Sequence, residues 1–262
     1  MKYTSPLLVL LMMGCSDIFE YSPNQEFDND SPRNVNLSSF KRLQPPKKQD
    51  TVTIVFLGDS QRFYEEAEDF VKKVNQFDDV DFVMIGGDVS DFGLLQELEW
   101  VHDRLRKLQV PYFAVIGNHD VVGNGHATFE TFYGPLNYSF TYGPYKFVLH
   151  NTNGREYVEG GVPDLQWLRT ELEDPDATYT VPVSHVAPFS GDFNQRLEEP
   201  YAQLLREQDN LVVSLHAHQH SFADRYFYND GVRYINSAHF EARELLKLTF
   251  VQQNVILEKI RF

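Results

Sequence analysis

Three apolar runs in this chain break at glycine and then at a carboxylate, amide or imidazole. Val52-Thr53-Ile54-Val55-Phe56-Leu57 stops at Gly58-Asp59. Asp81-Phe82-Val83-Met84-Ile85 stops at Gly86-Gly87-Asp88, and Tyr112-Phe113-Ala114-Val115-Ile116 stops at Gly117-Asn118-His119-Asp120. Apolar runs this short read as strands buried on both faces. The intervening segments, from about Tyr64 to Asn75 and from Leu94 to Leu108, carry helical spacing, with Phe70, Val71 and Val74 on one face of the first. Strands joined by helical crossovers predict a parallel α/β core.

In such sheets polar residues just past the strand ends converge in space, however far apart they lie in sequence. Later strands are expected at Tyr145–His150, Tyr179–Ser184, Leu211–Leu215 and Arg233–Asn236, with a closing antiparallel pair over Leu245–Val251 and Asn254–Phe262 and a helix over Asp164–Glu173. His185 follows one of these strands, and His218 and His220 follow another. Asp59, Asp88, Asn118, His185, His218 and His220 together offer the mixed oxygen and nitrogen donors that suit Mn, Fe, Zn or similar ions. A single aspartate after a strand is most often a turn or helix-cap residue; the ordered set is what outweighs that reading.

The series Gly87-Asp88-x-x-Asp91-x-Gly93, Gly117-Asn118-His119-Asp120, His185 and His218-x-His220 resembles the calcineurin-like metallophosphoesterases over roughly residues 52–240. That resemblance implies an α/β fold in which two mixed β-sheets pack as a sandwich flanked by helices. It implies two divalent metal ions: Asp59 and His220 on one, Asp88 bridging, and Asn118, His185 and His218 on the other. It also implies hydrolysis of a phosphomonoester or phosphodiester by a hydroxide shared between the ions, with His119 over the phosphate, Asp120 orienting His119, and Asp91 supporting the loop.

Two positions depart from the family pattern. Asp59-Ser60-Gln61 stands where the family has Asp-x-His, so a neutral Gln61 carbonyl, or water in its place, replaces an imidazole ligand, which favours Mn or Mg over Zn in a weaker first site. Ala217 stands where a glycine usually precedes the first histidine of the last block. A metal-poor scaffold or binding module on the same fold is the alternative, and Gln61 is the residue in its favour. Of the remaining histidines, His216 is expected in the core or behind the ligands. His102, His126, His150 and His239 are expected to be structural, with pocket lining as the alternative for His150 and His239. Arg62 and Arg155 are either solvated arginines or phosphate contacts, and Phe63, Tyr64 and Phe189 either pack in the core and loops or wall the pocket.

The flanks add location. Lys2, the apolar run Leu7–Met13 and Gly14-Cys15 read as a signal peptide over residues 1–14, too short to span a bilayer. The segment resembles a lipobox, which implies a lipid on Cys15, the sole cysteine, and a protein of the cell envelope held outside the cytoplasm. Residues 15–50 read as a tether with little structure, which Phe19, Tyr21 and Phe27 pin in places, before a single domain over residues 51–262. Thirty-eight acidic against 23 basic residues give a net charge of −15. That charge disfavours nucleic acid as a partner but not a small phosphoester, because bound cations dominate the field inside a pocket.

Overall fold

The computed structural model describes residues 26–48, 50–157 and 160–262. The leader, Cys15, Phe19 and Tyr21 lie outside them. Two mixed sheets pack face to face. The first contains β1 (Thr51–Leu57), β2 (Phe82–Ile85), β3 (Tyr112–Ala114), β10 (Glu244–Val251) and β11 (Asn254–Arg261), in the order β11-β10-β1-β2-β3. The second contains β4 (Tyr138–Tyr142), β5 (Tyr145–Leu149), β6 (Tyr179–Val183), β7 (Ser214–His216), β8 (Ala223–Arg225) and β9 (Tyr234–Asn236), in the order β4-β5-β6-β7-β9-β8. β1, β2 and β3 run parallel, as do β5, β6, β7 and β9, with antiparallel strands at the sheet edges.

Alternation along β1 explains the layering. Val52, Ile54 and Phe56 point into the inter-sheet core with Phe82, Phe113, Phe147 and Phe250, while Val55 and Leu57 face the helices. The helix layer on the first sheet holds α2 (Tyr64–Val74), α3 (Leu95–Leu105) and α4 (Gly125–Tyr133), following α1 (Val35–Arg42) in the chain. On the second sheet α5 (Leu165–Leu172) and α6 (Gln195–Arg206) bury Leu168, Leu172, Tyr201, Leu204 and Leu205. The strand expected at Leu211–Leu215 is shorter and later, because Leu211 forms only an isolated bridge to Thr180 and pairing resumes at Ser214.

The expected tether needs correction. α1 lies on the edge strand β3, where Asn36 is buried and its side-chain amide takes the place of a neighbouring strand. The Ala114 N–H donates to Asn36 Oδ1 at 2.9 Å, and Asn36 Nδ2 donates to the Ala114 carbonyl at 3.1 Å. A buried edge whose backbone groups are satisfied in this way stabilises the fold and blocks pairing with another chain. Phe27 is partly buried against the helix-side core, with Arg33 over its ring at 4.6 Å.

Candidate metal centre

The carboxyl ends of β1, β2, β3, β6 and β7 meet at one end of the sandwich. Asp59 and Asp88 are buried there, and the Asp59 N–H donates to the Gly87 carbonyl at 2.9 Å, locking the two strand-end turns together. The turns are tight. Asp59, Gln61, Asp88, His218 and His220 all hold φ between 24° and 72°. Non-glycine residues adopt this left-handed region at a cost of about 1–2 kcal/mol each, and such strain concentrates at functional sites. At Gly117 a side chain is impossible, since a Cβ would lie 2.1 Å from Asp88 Oδ1. The Ala217 methyl instead occupies the space over Gly58, where an added Cβ would come within 2.4 Å of it.

One donor group is fully assembled. The donor atoms of Asp88, His185 and His218 lie within 4.8 Å of one another. Asn118 Oδ1 joins them, 3.1 Å from His185 Nε2 and 2.9 Å from His218 Nδ1. In each imidazole the far nitrogen is already engaged. His185 Nδ1 donates to the Gly86 carbonyl at 2.7 Å, and His218 Nε2 lies 3.0 Å from Asp192 Oδ2. A carbonyl only accepts, so His185 carries its proton on Nδ1 and offers Nε2 as a ligand. These are the outer partners that orient metal-binding histidines. Burial disfavours charge on His185, but Asp88 and Asp59 outweigh burial and raise its pKa to about 9. The negative charge that holds a proton there is what a divalent ion would neutralise.

The second group forms around Asp59. Its Oδ2 accepts from the His218 N–H at 3.2 Å, and its buried Oδ1 accepts no hydrogen bond while lying 3.2 Å from His220 Nε2. A buried carboxylate oxygen without a hydrogen-bond donor beside an imidazole nitrogen fits a cation ligand. His220 stacks on His239 with centroids 4.7 Å apart and planes 10° from parallel, which places His239 at the site. Gln61 is buried and its Nε2 donates to Asp88 Oδ2 at 3.2 Å, so in this arrangement its carbonyl is turned away from that carboxylate. Restoring the imaginable imidazole tests the position: Gln61→His is expected to tighten the weaker metal step about tenfold or more, while Gln61→Ala leaves two ions bound. Calorimetric titration of stripped protein with Mn and Zn reads both; loss of an ion in Gln61→Ala would make Gln61 a ligand.

The roles expected for the two acidic neighbours of His119 change places. Asp120 is buried and accepts from the N–H groups of Ser90 (2.7 Å), Gly117 (2.8 Å) and Val89 (3.2 Å) and from Ser90 Oγ (2.7 Å). It ties the Asp88 loop to the Asn118 loop and does not touch the His119 ring. Burial, with Asp88 nearby, pushes its carboxyl up to about 6 against those donors. His119 Nδ1 instead donates to the Asp91 carbonyl at 2.9 Å, with Asp91 Oδ1 at 3.6 Å and Arg62 Nη2 on that same oxygen at 2.8 Å. Asp91 therefore orients His119, and Arg62 braces Asp91.

Asp192, in the loop after β6, was not among the expected site residues. It holds His218, and Arg155 pairs with it. Arg155, Asp192, Asn118, Asn153, Glu156 and Val186 line a polar cavity of about 330 Å³ beside the metal donors. Asp192→Asn is expected to lower metal affinity about 10- to 100-fold, read by the same titration; unchanged affinity would make the contact incidental. His216 and His150 are core histidines, and His102 is half-buried on α3. His216 bridges Ser184 Oγ and Ser214 Oγ (3.0 and 2.8 Å), His150 Nε2 meets the Tyr201 hydroxyl (2.9 Å), and His102 Nδ1 meets the Tyr112 hydroxyl (2.6 Å). Burial holds His150 and His102 down to about 4.

Carboxylates, an amide and imidazoles gather at the strand ends of a two-sheet sandwich as a donor set suited to divalent metal ions. The sequence profile described as calcineurin-like phosphoesterase matches residues 52–222, and the chain belongs to that family. Similar solved structures include a dimetal phosphatase from Danio rerio, 15% identical with a TM-score of 0.63, covering 84% of this chain and 100% of the other. A purple acid phosphatase from yellow lupin (Lupinus luteus) seeds is 13% identical with a TM-score of 0.62, covering 83% of this chain; this chain spans only about half, 52%, of the lupin enzyme. A Plasmodium protein described as the anchor in the inner membrane complex is 12% identical with a TM-score of 0.61, over 80% of this chain and 84% of that one. At these identities the likeness concerns the fold. No protein of curated function matches the chain in sequence.

Proposed function

We propose that the chain hydrolyses a small phosphomonoester or phosphodiester with two divalent ions, Mn foremost, as a lipid-anchored protein of the cell envelope outside the cytoplasm. The observation that carries the catalytic reading is the assembled group of Asp88, Asn118, His185 and His218, whose imidazoles are aimed by Gly86 and Asp192. Asn118, His185 and His218 would hold one ion, Asp59 and His220 the other, and Asp88 both. Bound there, the ions would supply Lewis acidity and an activated water. The chain supplies the rest. Asp91 keeps His119 protonated on Nδ1, so a proton arriving at Nε2 makes His119 the acid that donates to the leaving oxygen of the ester. Arg155 stands at the rim of the polar cavity, where an anionic ester group would enter.

The leader, with the lipobox resemblance at Cys15, supports the envelope location. The test of activity strips the protein of metal, adds Mn and assays a generic phosphomonoester and a generic phosphodiester. Mn-dependent turnover on either supports the proposal. No turnover with no metal bound would favour the scaffold, which Gln61 alone supports, and one ion bound would favour a mononuclear enzyme.

A further inference from the structure

One flank of the sandwich, running along the edge strand β3 toward the end away from the metal centre, differs from the rest of the surface. Residues 31–49 hold five cations, Arg33, Lys41, Arg42, Lys47 and Lys48, and no carboxylate, in a chain of net charge −15. α1 brings part of this segment onto the body in a fixed orientation. Val35, Asn36 and Ser39 are buried, which turns Leu37, Phe40 and Lys41 outward on one face, with Leu37 52% and Phe40 48% exposed. α1 descends beside β3, from Asn34, bonded to Thr131, to Arg42, which reaches the Leu108 carbonyl before β3 begins.

Below that point a cavity of about 600 Å³ lies beside Lys41, Arg42 and Lys47. Lys41, Arg42 and Lys47 form no ion pair among the described residues. Two carboxylates also line the cavity. Asp81 is turned inward, accepting from the N–H groups of Lys47 and Thr53 and from the Tyr142 hydroxyl. Asp78 is the one that remains to oppose the cations. Lys41 and Arg42 complement the carboxyl end of α1. Lys47 and Lys48 lie outside any helix and remain exposed, although Lys47 Nζ donates to the Asp78 carbonyl at 2.9 Å and Lys48 Nζ lies 3.9 Å from Asp79 Oδ2.

We propose that this face, Leu37 and Phe40 flanked by Lys41, Arg42, Lys47 and Lys48, rests on an anionic phospholipid surface. Exposed apolar side chains beside a cluster of lysine and arginine are the combination that a negatively charged bilayer surface attracts. The geometry then fixes an orientation. The seven residues of β1 separate Lys47 and Lys48, the basic end of this face, from Asp59, a distance of roughly 23 Å, while Leu37 and Phe40 lie on the flank beside β3. With the basic end on the bilayer the metal centre stands at the raised end, so its substrate is a soluble phosphoester rather than a lipid of the membrane on which the protein sits. This consequence for substrate rests on the phosphoesterase reading; the surface itself does not.

The experiment uses the full chain with Cys15→Ser, free of lipid, and with Phe40→Trp as a local reporter, its emission read as the difference from the same protein with Phe40 intact, which carries Trp100 and Trp167. Vesicles are phosphatidylcholine alone, or phosphatidylcholine with phosphatidylglycerol and a trace of phosphatidate. The emission of residue 40 is expected to shift to the blue only on anionic vesicles and to return at high salt. Lys41→Ser with Lys47→Ser is expected to weaken binding about fivefold per charge removed. Mn-dependent turnover of a soluble ester stays unchanged in that double variant, and the phosphatidate in the vesicles is not cleaved. An equal shift on neutral vesicles, or sedimentation with vesicles without any shift at residue 40, would overturn the surface. Cleavage of phosphatidate as fast as the soluble ester would overturn the orientation. An intact shift with no turnover on any ester would overturn the phosphoesterase reading and leave the surface standing.

Discussion

Asp88→Asn is expected to reduce Mn-dependent turnover by about a thousandfold or more while the protein stays folded. The substitution is nearly isosteric. The carbonyl end of the new amide still accepts from the His119 N–H, which now reaches Asp88 Oδ1 at 2.9 Å. What disappears is charge. Asp88 stands 3.3 Å from His185 Nε2 and accepts from Gln61, and it belongs to the assembled donor group. Without its negative charge, His185 loses the main interaction that opposes burial. A donor group without the Asp88 carboxylate would hold divalent ions less tightly, so metal content by elemental analysis is expected to fall together with rate. A variant that keeps both ions and its turnover would remove Asp88 from the centre. A variant that keeps its ions but loses turnover would assign Asp88 to the reaction and not to binding.

The parts of this site that were legible in sequence are those tied to a repeated physical situation. Asp59, Asp88 and Asn118 each follow a glycine at the end of a buried strand, and buried strands are visible as apolar runs. His185, His218 and His220 were placed by their order after those blocks, and the structure brings them to the same end of the sheets. Other features had no such signal. Asp192 sits in a loop and meets His218 only because the chain folds. α1 buries Val35, Asn36 and Ser39, so its inward face is mostly polar and casts no amphipathic pattern. α6 carries Pro200 inside it, a residue that ordinarily interrupts a helix. β8 is three residues long and mostly exposed. The left-handed turns at Asp59, Gln61, Asp88, His218 and His220 have no sequence mark either, since only glycine advertises that conformation.

The exchange between Asp91 and Asp120 has a geometric cause. The family resemblance implies that Asp120 serves His119. Yet His119–Val121 forms a turn of 3₁₀ helix, in which neighbouring side chains leave the axis about 120° apart. His119 therefore points toward solvent and Asp120 into the protein. The partner of the His119 ring comes from another loop, where Asp91 presents both a carbonyl and a carboxylate.

That arrangement predicts the kinetic signature of His119→Ala. Turnover of an ester with a poor leaving group is expected to fall about a hundredfold to ten-thousandfold, while metal content is unchanged, because no donor group of the site includes the His119 ring. With a nitrophenyl ester, whose leaving oxygen needs little protonation, the loss should shrink. A proton donor is required only where negative charge develops on the leaving atom. Asp91→Asn separates orientation from charge. Its backbone carbonyl still accepts from His119 Nδ1, so the tautomer is retained, while the carboxylate that Arg62 braces is gone. Its defect is expected to be much smaller than that of His119→Ala, about tenfold or less. Equal losses on both esters in His119→Ala would show that His119 binds the phosphoryl group instead of donating to the leaving oxygen. A loss of metal in that variant would make it part of the donor set, against the geometry that turns its Nδ1 to Asp91.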